Sequence, residues 1–86
     1  MSKSRVECIG TAVQDLLRIA HKNPQDARRV TEKILLRLEL LEDYSFVEEK
    51  HPDVFLHRLG YRLFPCGDYT VTYRALEDRL LIYQIR

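Results

Sequence analysis

The sequence predicts an α+β domain made of an N-terminal strand, an antiparallel helical hairpin and a three-stranded antiparallel meander, on three observations. Val30, Ile34, Leu38 and Leu41 recur at three- and four-residue steps, the period of a helix with one buried stripe. Tyr69, Val71 and Tyr73 alternate with Thr70, Thr72 and Arg74, the period of a strand with one face in a core. Only Asn23-Pro24 separates this helical segment from an earlier one, a connection so short that the two helices must fold back on each other.

The elements follow in order. Arg5 to Ile9 sets Val6 and Cys8 against Glu7, a short strand ended by Gly10. Thr11 with Gln14 three residues on is a capping-box pattern, and Val13, Leu16, Leu17 and Ala20 then recur at helical spacing, so a first helix is expected from about 12 to 22. Asn23 is placed as an N-cap, Pro24 at the first helical position and Asp26 in the first turn, where its carboxylate meets the positive end of the dipole. Leu35 widens the apolar stripe of this second helix, while Arg28, Arg29, Lys33 and Arg37 lie elsewhere on its cylinder. Leu40 is left over, exposed or at an interface.

A polar stretch from Tyr44 to Asp53 precedes three β-rich segments, Val54 to Phe64, Tyr69 to Leu76 and Arg79 to Arg86. Pro65-Cys66-Gly67-Asp68 and Glu77-Asp78 are the turns between them, the second tight enough for a two-residue hairpin. Tyr69, Val71 and Tyr73 belong under the helices. Thr70, Thr72 and Arg74 would then form an open polar surface with room for a partner.

Composition bounds the function. Eighty-six residues make one domain, 1–86, which buries roughly 60–65% of its unfolded surface and has little core to spare for a deep substrate cavity. With 31% charged and 45% apolar residues the chain is expected to fold. No apolar run approaches the ~18–20 residues that span a bilayer, and Met1 to Arg5 leads into no hydrophobic leader, so a cytoplasmic protein without membrane partners is expected. A net charge of +1 excludes a broadly basic nucleic-acid binder and leaves room only for a local patch. Cys8 and Cys66 stand outside any metal-ligand spacing and are too few for a disulfide framework. They are read as reduced small hydrophobes, Cys66 in an exposed turn where it could oxidise, and neither metal nor cofactor is expected.

Arg58, Arg62 and Arg74, with His57, lie in a stretch from Val54 to Leu76 whose one carboxylate is Asp68. Two readings stand: a basic surface for nucleic acid or an acidic protein segment, or a solvated sheet face. Strand parity would put Arg58, Arg62 and Phe64 on one side. His21, His51 and His57 have no nucleophile spaced with them, so catalysis by histidine is not expected, and His51-Pro52 reads as a turn. Tyr69 and Tyr73 read as core, whereas Tyr61 and Tyr83 stay open between packing and a stacking platform. Glu48-Glu49-Lys50 reads as a solvated loop.

The element order, together with Tyr61-Arg62-Leu63-Phe64 and Gly67-Asp68-Tyr69-x-Val71-x-Tyr73, resembles the RelE/ParE superfamily of bacterial type II toxin–antitoxin, or plasmid stabilisation, toxins. Ala12-x-x-Asp15-Leu16-x-x-Ile19 and Asn23-Pro24-x-x-Ala27 are similar to the helical hairpin of the ParE branch. The resemblance implies a small toxin neutralised by a cognate antitoxin whose disordered segment folds onto it. RelE-like members cut mRNA in the ribosome with basic residues on the sheet and near the C-terminus; ParE-like members poison DNA gyrase without known bond-breaking chemistry.

The departures favour the ParE branch. Thr70 stands where the family's G-D-Y-R-V strand carries arginine, and a hydroxyl cannot supply the fixed positive charge that phosphoryl chemistry needs. Phe64 replaces a second base beside Arg62, and the sequence ends at Ile85-Arg86, about where the family continues into a His/Arg-containing segment. The resemblance therefore implies a gyrase inhibitor that works by binding, with Arg58, Arg62, Arg74 and Arg86 at the target or partner surface. A ribosome-dependent mRNA endonuclease and a non-toxic binding module of the same fold are the alternatives, and self-association is left open.

Overall fold

The computed structural model describes residues 5–43, 49–50, 52–76 and 78–86. Strand β1 (Arg5–Cys8) leads into helices α1 (Ala12–Lys22) and α2 (Pro24–Asp43). A short strand β2 (Glu49–Lys50), a one-turn helix α3 (Val54–Arg58) and strands β3 (Arg62–Cys66), β4 (Tyr69–Ala75) and β5 (Arg79–Ile85) follow. The α+β class and the succession of strand, helical hairpin and meander agree with the sequence, whereas α3 is additional and Glu49-Lys50, read as a solvated loop, forms β2. Expectations placed on the side chains of Leu38, Leu40 and Leu41, and on Glu48, His51 and Glu77, lie outside the described residues.

The five strands form one sheet in the order β1-β5-β4-β3-β2. The meander β3-β4-β5 is antiparallel, but β1 runs parallel to β5, so the sheet is mixed. Parallel neighbours cannot be joined by a tight turn. Here the helical hairpin and the rest of the sheet lie between them in the chain. Within the described residues β1 and β2 are the two edges.

One face of the sheet carries the hairpin. Ala12, Ile19, Ala27, Val30 and Ile34 from the helices pack on Phe64, Cys66, Val71, Tyr73, Leu80, Ile82 and Ile85. A bulge resets the side-chain alternation in β5: Thr72 pairs with Gln84 and Tyr73 with Ile82, so Tyr83 is an extra residue. That insertion lets Leu80 and Ile82 on one side of it and Ile85 on the other all face the helices, which a strict two-residue period would forbid. Phe64 and Tyr73 meet ring to ring with centroids 5.4 Å apart, and the Arg37 guanidinium lies 4.9 Å from the Phe64 centroid.

The helices differ from expectation in two respects. Asn23 does cap α2, its Oδ1 accepting from the N–H groups of Gln25 at 3.1 Å and Asp26 at 3.4 Å. Thr11, however, makes no side-chain cap for α1; its hydroxyl donates to Asp15 Oδ2 at 2.9 Å, which takes the place of the capping box with Gln14. The buried side of α1 is Ala12, Asp15 and Ile19, leaving Val13 and Leu17 exposed, and Leu35 on α2 is exposed as well. With the sheet covering one side only, the outer edge of each apolar stripe stays in water.

Val54 to Phe64 is not one strand. Asp53 Oδ1 accepts the N–H groups of Phe55 at 2.9 Å and Leu56 at 3.1 Å, capping α3. At its other end Tyr61 N–H donates to Leu56 O and Gly60 N–H to His57 O, both at 3.0 Å, the paired bonds of a Schellman motif. The first turn is also shorter than expected. Pro65 and Cys66 belong to β3 and only Gly67-Asp68 connects to β4. Cys66 and Tyr69 close a two-residue hairpin, so Pro65 falls at a non-hydrogen-bonded position where its missing N–H points to the open edge. The second turn is as tight as expected, Leu76 N–H donating to Arg79 O at 2.8 Å.

Candidate binding surfaces

The sheet has a helix side and a far side, and register assigns residues to each. Arg62 is paired with Tyr73, so the two share the helix side. Arg74 is paired with Leu81 and lies on the far side with Leu63, Thr72 and Gln84. Arg58, expected on the same strand face as Arg62 and Phe64, is instead exposed in the last turn of α3. Arg86 follows β5 and exchanges main-chain hydrogen bonds with Thr70, its N–H donating to Thr70 O at 2.8 Å and its O accepting from Thr70 N–H. The structure does not gather these four arginines into one cluster. Among the described residues none of them makes an ion pair.

The far side is not the open polar surface that the alternation implied. Thr72 is only 2% exposed. Tyr61, buried just before β3, and Tyr83 at the bulge meet with ring centroids 5.1 Å apart, so both are packing residues rather than a free stacking platform. Arg74 Nε approaches within 3.5 Å of where a side chain on Gly60 would begin, beside the end of α3. Near the β1 edge Glu7 Oε1 takes both Arg5 Nε and Arg79 Nη1 at 3.2 Å, and Arg79 Nε reaches Asp78 at 3.2 Å. The Arg79 hydrogen bond holds the Asp78 carboxyl below its ordinary range and Arg79 correspondingly higher.

Of the arginines that the sequence singled out, Arg86 lines a concave site. A cleft of about 390 Å³ opens between α1 and the adjoining ends of β4 and β5, lined among others by Asp15, Arg18, Lys22, Tyr69, Ile85 and Arg86. Asp15 is its anchor. Though only 2% exposed, its carboxylate accepts from the Thr11 hydroxyl and from Ile85 N–H at 2.9 Å each, and from Arg18 Nη1 at 3.4 Å. The available signal was spacing: Asp15, Arg18 and Lys22 fall at i, i+3 and i+7 on one side of α1. A smaller hollow of about 180 Å³ lies between Asp26 and Arg29 of α2 and the Gly67-Asp68 turn.

His21 is exposed, and His57 has a buried Nδ1 without a hydrogen-bond partner among the described residues. No group of histidine, cysteine and carboxylate side chains among the described residues is arranged to hold a metal ion. Cys66 is buried in β3, correcting its expected place in an exposed turn, whereas Cys8 is exposed; burial pushes both thiols up. No helix among the described residues is long and apolar enough to cross a membrane.

Comparison with known proteins agrees with the fold. Residues 9–86 match the sequence model of the family described as the ParE toxin of the type II toxin-antitoxin system, parDE. No curated protein matches the chain.

Proposed function

Because the chain belongs to the ParE toxin family of type II toxin–antitoxin systems, we propose that it acts in the cytoplasm by binding and inhibiting DNA gyrase, and that a cognate antitoxin neutralises it. The observation that carries inhibition by binding is the separation of Arg62 and Arg74 onto opposite sides of the sheet. Metal-independent cleavage of RNA needs several bases converging on one phosphate, to activate the 2′-hydroxyl and to stabilise the charge that develops. Two arginines with a five-stranded sheet between them cannot converge, and Thr70 offers no third. Separate contacts on a large protein surface need no convergence. On this reading Arg58, Arg62, Arg74 and Arg86 each contribute to contact with the target or the antitoxin.

Inducible expression of residues 1–86 in bacterial cells lacking any antitoxin tests the proposal. Growth, a DNA-damage reporter and bulk translation are followed together. Growth arrest with the damage response rising while translation is intact is the expected result. Translation collapsing first would move the protein to the ribosome-dependent nucleases, and unimpaired growth with soluble, folded protein would make it a binding module of the toxin fold.

A further inference from the structure

We infer that the cleft between α1 and the ends of β4 and β5 binds an acidic, amphipathic segment of a partner polypeptide, with carboxylates at its rim and an aliphatic side chain on its floor. Arg18, Lys22 and Arg86 bring three cations to the lining against the side chain of Asp15 and the α-carboxylate of Arg86. Asp15 cannot balance them, because it is buried and already accepts from the Thr11 hydroxyl and Ile85 N–H. Lys22 and Arg86 make no ion pair among the described residues. Arg18 reaches Asp15 at 3.4 Å with its side chain 73% exposed, so it can turn to a ligand at little cost. A surplus positive charge faces one concave, partly desolvated space, where an incoming carboxylate interacts more strongly than it would on an open surface.

The floor decides the kind of partner. Ile19 and Ile85 are buried there and Tyr69 is half-buried, an apolar base that a sugar–phosphate backbone cannot use. Nor does a chain of net charge +1 present the broad basic face that phosphate backbones recruit. The lining follows α1 from Thr11 to Lys22, roughly 16 Å of helix. That length suits about five residues of extended peptide. The inference rests on the reading that an antitoxin segment covers the toxin, and it places the acidic part of that segment.

The test is an amide NMR titration of the ¹⁵N-labelled protein. The probe is a blocked nonapeptide of three Leu-Glu-Glu repeats, with its Leu-Gln-Gln counterpart and inorganic phosphate as controls. Saturable shifts confined to the neighbourhood of Thr11, Lys22, Tyr69 and Ile85 are expected with the glutamate peptide, and none with the glutamine peptide. Lys22→Glu combined with Arg86→Glu should weaken binding at least roughly tenfold, whereas Arg28→Glu combined with Lys33→Glu, an equal change of charge on α2, should leave it intact. Shifts elsewhere, equal response to both peptides, insensitivity to the double reversal, or the same shifts with phosphate alone would each overturn the inference. Growth arrest by the unaltered chain is scored in parallel. Arrest without peptide binding sinks the cleft and leaves the toxin reading, while peptide binding without arrest does the reverse.

Discussion

Asp15 Oδ2 accepts the main-chain N–H of Ile85 at 2.9 Å, a bond that ties the first turn of α1 to the last residue of β5 across 70 positions of sequence. The same oxygen takes the Thr11 hydroxyl, so one buried carboxylate fixes both the start of the helix and the end of the sheet. Asp15→Ala leaves the Ile85 N–H buried without a partner, which costs about 2–3 kcal/mol. Asp15→Asn keeps an acceptor and should lose roughly half as much. Urea unfolding should show the midpoint falling in that order at unchanged slope. A midpoint for the alanine variant within error of the parent would mean that the bond carries no stability.

Gly10 and Gly67 share a positive φ, +54° and +62°, but not their surroundings. A Cβ on Gly10 would lie 2.8 Å from both the ring and the main-chain oxygen of Tyr83, whereas nothing lies within 4 Å of one on Gly67. Alanine at either position meets the left-handed backbone penalty of about 1–2 kcal/mol. Only at Gly10 does it also collide with a carbonyl that cannot rotate away. Gly10→Ala should therefore lower the thermal midpoint at least about twice as far as Gly67→Ala, and equal losses would show that the close approach to Tyr83 relaxes freely.

The helices and the meander were legible because each announces its period and its ends: Asn23-Pro24 marks a restart, and Tyr69 to Arg74 alternates cleanly. Val54 to Phe64 was misread because a run dense in apolar residues satisfies a strand and a short helix equally. Its punctuation was nevertheless present, Asp53 before it and Gly60 as its seventh residue. The bulge at Tyr83 was illegible, since an inserted residue leaves the composition of a strand unchanged and shows only in the pairing. The arginines were legible as residues but not as a site, because Arg62 and Arg74 are separated by a sheet whose faces depend on register. The cleft was missed for a similar reason: Arg86 joins Arg18 and Lys22 only once β5 lies beside α1.

Tyr61 and Tyr83 supply a second fastening between the end of α3 and the bulge, with rings tilted by 48°. A double-mutant cycle with Tyr61→Leu and Tyr83→Leu should give a coupling of about 0.5–1.5 kcal/mol in favour of the pair. A coupling near zero would mean that the two rings contribute only the area each buries.

Cys8 and Cys66 differ in access, exposed in β1 and buried in β3. Because burial raises both thiols, Cys8 should react slowly with a disulfide reagent at neutral pH and faster as the pH climbs past the ordinary thiol range. Cys66 should react only through opening of the sheet, slower by roughly two orders of magnitude or more, and at full speed in denaturant. Two thiols modified rapidly in the native protein would contradict the placement of Cys66.

Arg62 and Arg74 offer the sharpest separation between inhibition by binding and cleavage. Arg74 is exposed and Arg62 half-buried, so Arg74→Glu should change stability by less than about 0.5 kcal/mol and Arg62→Glu by about 1 kcal/mol. Both variants should remain folded, and each should raise the inducer concentration needed for growth arrest. Because they lie on opposite sides of the sheet, their effects on a binding free energy should add, and the double variant should show the product of the two single losses. Residues that act together on one phosphate behave otherwise: once the first is lost, removing the second changes little. A double variant no weaker than the worse single one would therefore argue for a shared catalytic step, and full toxicity in both single variants would remove the pair from the site.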